Sequence, residues 1–140
     1  MHTASPLSGE HGLDHPAAHL SFSWDGCSER TLRVRLHTSC MEDGPADDFE
    51  LTFHSPKAVT WEDEAVPVIQ LPEELPWCVG QSRSRWRFPV LQIEGSPWVA
   101  SFSNKSHLPL HHFAIMSLDD ILHIAALAQP TWRWVPSIDA

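Results

Sequence analysis

The 140-residue sequence contains no tyrosine and only two lysines, Lys57 and Lys105. Acid–base or nucleophilic chemistry that needs a phenol or an amine therefore has almost no candidates in this chain. The three cysteines are odd in number and widely spaced, which fits neither a disulfide framework nor a CxxC zinc site. These deficits exclude several common classes of enzyme and of metal-binding protein.

The motifs of common nucleotide-dependent enzymes and hydrolases are also missing. The six glycines form no GxGxxG or Walker loop, and neither a GxSxG elbow nor an HExxH motif occurs. The N-terminal residues lack the basic start and apolar run of a signal peptide, and no apolar stretch approaches the ~20 residues that span a bilayer. We therefore expect a reduced, cytoplasmic protein with no membrane partner and no cofactor.

What the sequence does contain is a strong concentration of negative charge. Between Glu42 and Glu74 there are ten carboxylates and one lysine, a net charge of −9 that equals the formal charge of the whole chain. Such a one-sided field repels nucleic acid and attracts basic proteins. The stretch is either a solvated surface that keeps the protein soluble or a docking surface for a basic partner. A calcium-binding EF-hand is disfavoured, because the loop from Asp43 lacks the required spacing of oxygen ligands.

We predict that Trp61 belongs to this docking surface, since an aromatic ring among carboxylates suits an arginine- or lysine-rich partner. Acidic surfaces of this kind accelerate association and select partners more than they add affinity. The predicted partner-binding residues are Glu42, Asp43, Asp47, Asp48, Trp61, Glu62, Asp63 and Glu64.

The domain organisation predicted from composition is a mobile tail followed by a single globular domain. Residues 1–18 combine proline, glycine, serine and histidine with scarcely any bulky apolar residue, which is typical of a disordered segment. Residues 19–140 carry the apolar pattern of a β-rich domain.

Apolar and polar residues alternate along several segments of that domain, as in half-buried antiparallel strands. The clearest segments are Thr31–His37 and Phe49–His54, and the same alternation of Trp98 with Ala100 and Phe102 predicts a further strand. Phe113 and Ile115 alternate as well. Weaker strand signals lie at Leu20–Trp24, Ala58–Trp61, Arg85–Ile93 and Thr131–Val135.

One helix is predicted over residues 117–128. Ser117 is a suitable N-cap, Asp120 follows it in a capping-box-like pattern, and Pro130 ends the run. In such a helix Asp119 and His123 would lie together on the exposed face. The sequence thus predicts an α+β fold that is mainly antiparallel β, with one twisted sheet or half-barrel and this helix packed on it.

The best candidates for metal ligands are His107, His111 and His112. A strand over 110–116 would direct His111 inward and His112 outward, so that the two neighbours could not bind one ion. Since zinc needs three or four ligands, we predict no metal site, and instead one buried, hydrogen-bonded histidine and two histidines on the surface.

These observations favour a non-catalytic protein-binding module. In size, acidity and lack of catalytic motifs the chain is similar to small bacterial immunity or inhibitor proteins that mask a basic toxin or enzyme. The alternative is a small enzyme or ligand-binding protein, with or without a metal, whose pocket is lined by tryptophan and histidine. Substitution of His111 or His112 would distinguish the two, while the oligomeric state is left open.

Overall fold

A computed structural model describes residues 1–10, 12–13, 15–26, 30–38, 45–78, 86–106 and 108–137 of the chain. The strands of these residues are β1 (Thr3–Ser5), β2 (His19–Asp25), β3 (Thr31–His37), β4 (Asp48–His54), β5 (Ala58–Asp63), β6 (Trp77–Cys78), β7 (Trp86–Arg87), β8 (Val90–Glu94), β9 (His111–Met116), β10 (Asp120–Ala126) and β11 (Thr131–Val135). The helices are α1 (Leu7–Glu10) and α2 (Pro97–Ser106). Neither of the two described helices is long and apolar enough to cross a membrane.

The strands form two main antiparallel sheets. One has five strands in the order β1-β8-β9-β10-β5, and the other has four in the order β11-β4-β3-β2, while β6 and β7 make a small separate pair. The expectation of a mainly antiparallel β fold is confirmed, but two sheets replace the single sheet or half-barrel. The strands predicted from alternation at β3, β4 and β9 are present, as are those at β2, β5 and β11.

The main core lies between the two sheets. Alternate residues of the four-stranded sheet meet alternate residues of the five-stranded sheet, and the rings of Phe53 and Phe113 lie 5.4 Å apart across the interface. The large buried apolar residues that the two sheets contribute are Leu32, Val34, Leu36, Phe49, Leu51, Phe53, Val90, Phe113, Ile115, Leu122 and Ile124. Each side chain of this size stabilises the fold by roughly 1.5–3 kcal/mol when fully buried.

A second, smaller core covers the opposite face of the five-stranded sheet, which we call its outer face. Leu91, Ala114 and Ile121 of β8, β9 and β10 are buried there, and Leu71 and Leu75 pack against them. The three central strands of this sheet therefore carry buried residues on both faces.

The predicted helix over residues 117–128 is wrong. Asp120–Ala126 forms β10, and Ser117 caps the turn before it by accepting hydrogen bonds from the backbone N–H groups of Asp119 and Asp120. Six of the seven residues of β10 are buried, because the strand is covered on both sides. The sequence of a strand that is buried on both faces is almost continuously apolar. In this strand the spacing of the apolar residues also matches one face of a helix.

The strand expected from the alternation of Trp98, Ala100 and Phe102 is also wrong, because these residues belong to α2. Ser96 is the N-cap, and its Oγ accepts a hydrogen bond from the N–H of Val99 at 3.2 Å. Pro97 occupies the first helical position, where it is favoured because its missing N–H has no helical partner to lose.

Residues 1–18 are not the tail that composition suggested. Thr3–Ser5 pairs with β8, and Leu7 and Leu13 are buried in the main core. Gly95 lies against the backbone of Met1 with a φ of +66°, a conformation that glycine adopts without strain. The few apolar residues of this segment pack into the core. They order the segment although its composition is typical of a disordered tail.

Candidate functional site

Four carboxylates come together where β5 ends and β10 begins. Asp63 and Asp120 are directly opposite each other in the antiparallel pair, and the N–H of Glu64 donates to the carbonyl oxygen of Asp119 at 2.9 Å. We call these four residues the acidic corner. Asp63 and Asp119 are exposed, whereas Glu64 and Asp120 are half-buried.

Two carboxylates of the acidic corner, those of Asp63 and Asp120, belong to residues that are directly opposite each other in the sheet. Like charges directly opposite in an antiparallel pair are destabilising, on a scale of roughly 0.2–1 kcal/mol. Arg33 and Arg133 form their ion pairs on the other sheet, with Asp25 and Glu50 respectively. The exposed side chains of Asp63 and Asp119 place negative charge at the surface of this part of the sheet.

Trp61 lies beside the acidic corner with 52% of its surface exposed. It precedes Asp63 by two residues in β5, so both side chains point to the same face of the strand. Val66, whose N–H donates to the carbonyl oxygen of Asp63 at 3.0 Å, is 70% exposed, and Leu118 is 40% exposed. Large apolar side chains thus adjoin the carboxylates, as the sequence predicted for Trp61 alone.

Glu62, which we expected in the partner-binding surface, points the opposite way and is only 6% exposed. Its Oε1 accepts hydrogen bonds from the N–H groups of Val68 and Ile69 at 3.1 and 2.8 Å. The carboxylate therefore holds the loop after β5 against the sheet. The expectation that Glu62 contacts a partner is corrected by this burial.

Two other predicted binding residues that the structure describes, Asp47 and Asp48, lie outside the acidic corner. Asp48 is fully buried, and its Oδ2 lies 3.1 Å from Nδ1 of His37, so its predicted contact with a partner is corrected as well. Asp47 is exposed just before β4 in the other sheet. Glu42 and Asp43 lie outside the described residues.

A second polar cluster is buried on the outer face of the five-stranded sheet. Oγ of Ser96 lies 2.7 Å from Nδ1 of His112, and Nε2 of His112 lies 2.8 Å from Nδ1 of His123. Nε2 of His123 in turn lies 3.4 Å from Oε2 of Glu62. We call this row of four side chains the histidine chain.

The histidine chain reverses two expectations. His112 was expected to face outward and His123 to lie on an exposed helical face, yet they are 1% and 0% exposed. The reason is that α2 covers this side of the sheet, with the Trp98 ring centroid 4.8 Å from that of His112 and 5.8 Å from that of His123. The contact between His123 and Glu62 could not be predicted from the sequence, because it arises from the pairing of β5 with β10.

Burial keeps both histidines of the chain neutral. Desolvation, assisted by repulsion from His123 and His2, lowers the pKa of His112 to about 3. Burial also lowers the pKa of His123, although the neighbouring Glu62 opposes that shift. A neutral imidazole has one donor and one acceptor nitrogen. The two shorter contacts are satisfied when the Ser96 hydroxyl donates to His112 and His112 donates to His123, whereas Nε2 of His123 and Oε2 of Glu62, 3.4 Å apart, make no hydrogen bond.

The histidine chain ends at a cavity of about 390 Å³, whose wall includes Ser96, His111 and His112. A serine hydroxyl that donates to an imidazole has the arrangement of a nucleophile and its base. However, Pro97 supplies no N–H next to that serine, and the N–H of Val99 already donates to its Oγ. At these two positions the site lacks free donors for an oxyanion, which favours ligand binding over acyl transfer.

In the part of the chain that the structure describes, no three histidine, cysteine or acidic side chains are grouped so that they could hold a metal ion. His111 is half-buried at the cavity, with Nδ1 3.5 Å from Nε2 of Gln92. His107 lies outside the described residues.

Comparisons of the chain with protein-family models, with curated proteins and with solved structures found no match. The acidic corner and the histidine chain are therefore the features from which a function can be inferred.

Proposed function

We propose that this protein is a non-catalytic module that binds a basic protein through the acidic corner and Trp61. The observation that carries the proposal is the direct opposition of Asp63 and Asp120 in the sheet, next to a tryptophan that is 52% exposed. This arrangement costs stability when the chain is alone and gains stability when a cation lies between the carboxylates. A partner with arginine or lysine at its surface supplies that cation.

The chemistry of the corner favours arginine in particular. A guanidinium group can bind a carboxylate through two parallel hydrogen bonds and can also stack on the face of a tryptophan. Val66 and Leu118 provide apolar area around this contact. The net charge of −9 steers a basic partner toward the surface before any contact forms.

The specific form of the proposal is an inhibitor of the immunity type, which masks a basic toxin or enzyme. It is supported by the small size and strong acidity of the chain and by the absence of the common catalytic motifs from its sequence. Masking requires that the partner's basic surface be covered, and an acidic corner with an apolar border has the composition to do so.

Neutralising the corner is expected to slow association with the partner. The partner would first be captured from a lysate of the source cell at low salt and then purified. The pair Asp63→Asn and Asp120→Asn should lower its association rate constant by about tenfold at low ionic strength, and by much less at high salt, because electrostatic steering is screened. Stopped-flow mixing at several salt concentrations measures this change.

The matched control is the pair Glu10→Gln and Glu94→Gln, which removes the same two charges from exposed positions outside the predicted binding surface. It should change the association rate constant far less. Equal effects of the two pairs would show that only net charge matters, and an association rate that does not depend on salt would overturn the proposed mechanism.

A second candidate function, a small esterase, is favoured by one observation, the 2.7 Å contact between Ser96 and His112 at the cavity wall. We expect no acetylation of Ser96 during incubation with p-nitrophenyl acetate, because Pro97 and Val99 offer no free oxyanion donor. Peptide mass spectrometry measures the adduct, with Ser101→Ala as a control for Ser96→Ala. An acetyl group on Ser96, with turnover lost only in Ser96→Ala, would replace the binding proposal by the enzymatic one.

A further inference from the structure

The strand β2 lies at the edge of the four-stranded sheet, and no described strand pairs with its outer side. Six of its seven residues are exposed, including Phe22 at 41% and Trp24 at 48%. A free edge of this kind is a template for another strand, and proteins normally protect it with proline, lysine or a bulge. The sequence of β2, HLSFSWD, has neither proline nor lysine. Its register with β3 runs without interruption from His19 to Asp25.

The exposed aromatic residues of β2 belong to the apolar face of the sheet. Leu20, Phe22 and Trp24 are directly opposite Leu36, Val34 and Leu32 of β3, which are fully buried in the main core. Residues opposite each other in a sheet share a face. The apolar face that forms the core therefore continues onto β2, where it is left partly uncovered.

The sequence of β2 is complementary to itself when read in the antiparallel direction. A second copy paired about Phe22 would bring Phe22 opposite the same residue, Leu20 opposite Trp24 and Ser21 opposite Ser23. At both ends of the pair, His19 would lie opposite Asp25, whose side chain is 60% exposed. Apolar residues would meet apolar residues, and each acidic residue would meet a histidine.

Other registers lose this match. A shift by one residue places Leu20 opposite Asp25 and so sets the apolar face of one strand against the polar face of the other. A shift by two residues shortens the paired segment to five residues and separates His19 from Asp25. The pairing about Phe22 is thus the register that uses the full length of the strand.

We propose that the protein forms a two-fold symmetric dimer in which the β2 strands of two copies pair antiparallel about Phe22. The two four-stranded sheets then become one eight-stranded sheet, and Leu20, Phe22 and Trp24 of both copies form one apolar cluster across the axis. An interface of this kind is isologous and closes on itself. The proposal is independent of the acidic corner, which lies on the other sheet.

The first test is the molar mass of the full chain in solution, measured by sedimentation equilibrium over the micromolar range. We expect a dimer for the wild type. Phe22→Lys should raise the dissociation constant at least about a hundredfold, since it places two ammonium groups opposite each other on the axis. Trp134→Lys is the matched control, because Trp134 is an aromatic residue of similar exposure, 40%, on the opposite edge strand β11. It should leave the dimer intact.

The second test fixes the register. Oxidised Phe22→Cys should form a disulfide between the two copies of residue 22, because residues directly opposite in a sheet have Cα atoms about 4.5–5.5 Å apart. Ser21→Cys should not link to itself, since its two copies would lie beyond the ~7 Å limit for a disulfide. Peptide mapping distinguishes these bonds from bonds to the native cysteines. A monomeric wild type, or a dimer that only Trp134→Lys dissociates, would overturn the proposal.

Discussion

Glu62→Ala is expected to lower the free energy of unfolding by about 3 kcal/mol, a large part of the stability of a domain of this size. The buried carboxylate accepts two backbone N–H groups of the loop after β5, from Val68 and Ile69, and hydrogen bonds to charged groups are worth about 1.5–3 kcal/mol each. Glu62→Gln keeps an oxygen for these donors and should cost only about 1 kcal/mol. Urea unfolding at pH 7.5 measures both values.

The control is Asp63→Ala, one residue further along β5. Asp63 is exposed, opposes Asp120 and accepts a hydrogen bond from the N–H of Ala65 at 2.8 Å. Its removal exchanges one repulsion for one lost, exposed hydrogen bond and should change stability by no more than about 1 kcal/mol. If Glu62→Ala were as mild as Asp63→Ala, the structural role of Glu62 would be wrong, and the residue would return to the list of partner contacts. The comparison thus separates a residue that holds the fold from a neighbour that we propose to contact the partner.

Acidification is expected to destabilise the protein well before most carboxylates titrate. His112 binds its proton near pH 6.5 in the unfolded chain but only near pH 3 in the folded protein. The unfolded state therefore binds more protons between these two values. The contribution of His112 to the free energy of unfolding is fully present above pH 6.5. Below that pH it falls by about 1.4 kcal/mol per pH unit, a loss of about 2 kcal/mol at pH 5. His123, whose pKa burial also lowers, adds to the loss.

Urea unfolding at intervals from pH 7.5 to pH 5 measures this slope, and that range avoids most of the titration of ordinary carboxylates. His112→Asn retains a polar side chain in the histidine chain and should show a shallower slope, although its stability at pH 7.5 is lower. His54→Asn, at an exposed histidine, should keep the slope of the wild type. A wild-type stability that stays constant down to pH 5 would contradict the buried, neutral state of His112.

The strands that could be predicted from the sequence are those with one buried face and one solvent-exposed face. In β3 and β4 the buried residues alternate with less buried ones, so the period of two is visible. The strand β10 is buried on both faces and has no such period. Its apolar residues, together with Ser117 and Asp120, therefore resembled a capped helix, although the same serine caps a turn.

For α2 the signals were present but in conflict. Ser96 and Pro97 mark a helix start, whereas the alternation of Trp98 with Phe102 favoured a strand. The structure shows Trp98 on α2 stacked against the buried histidines and in edge contact with Phe102. A strand-like alternation over five residues is compatible with a helix when the aromatic side chains contact each other one turn apart.

In the candidate sites, the features that depend on neighbouring residues in the sequence could be predicted. The features that depend on long-range strand pairing could not. The exposed, acidic surroundings of Trp61 follow from adjacent residues, and the structure retains Asp63 and Glu64 beside it. The contribution of Asp119 and Asp120 depends on the register between β5 and β10. The histidine chain depends on the same register and on the position of α2, so spacing along the sequence could not reveal it.

The arrangement of the N-terminal strand bears on how the chain folds as it is synthesised. The strand β1 is made first, but its partner in β8 follows 87 residues later, the separation of Ser5 from Gln92. By contrast, β2, β3 and β4 are neighbours both in the chain and in their sheet, so they can pair on the ribosome. Their apolar face must then stay uncovered until β8, β9 and β10 emerge. The growing chain thus passes through a stage in which one sheet is formed while its apolar face is still exposed to solvent, a state that favours aggregation until the second sheet covers it.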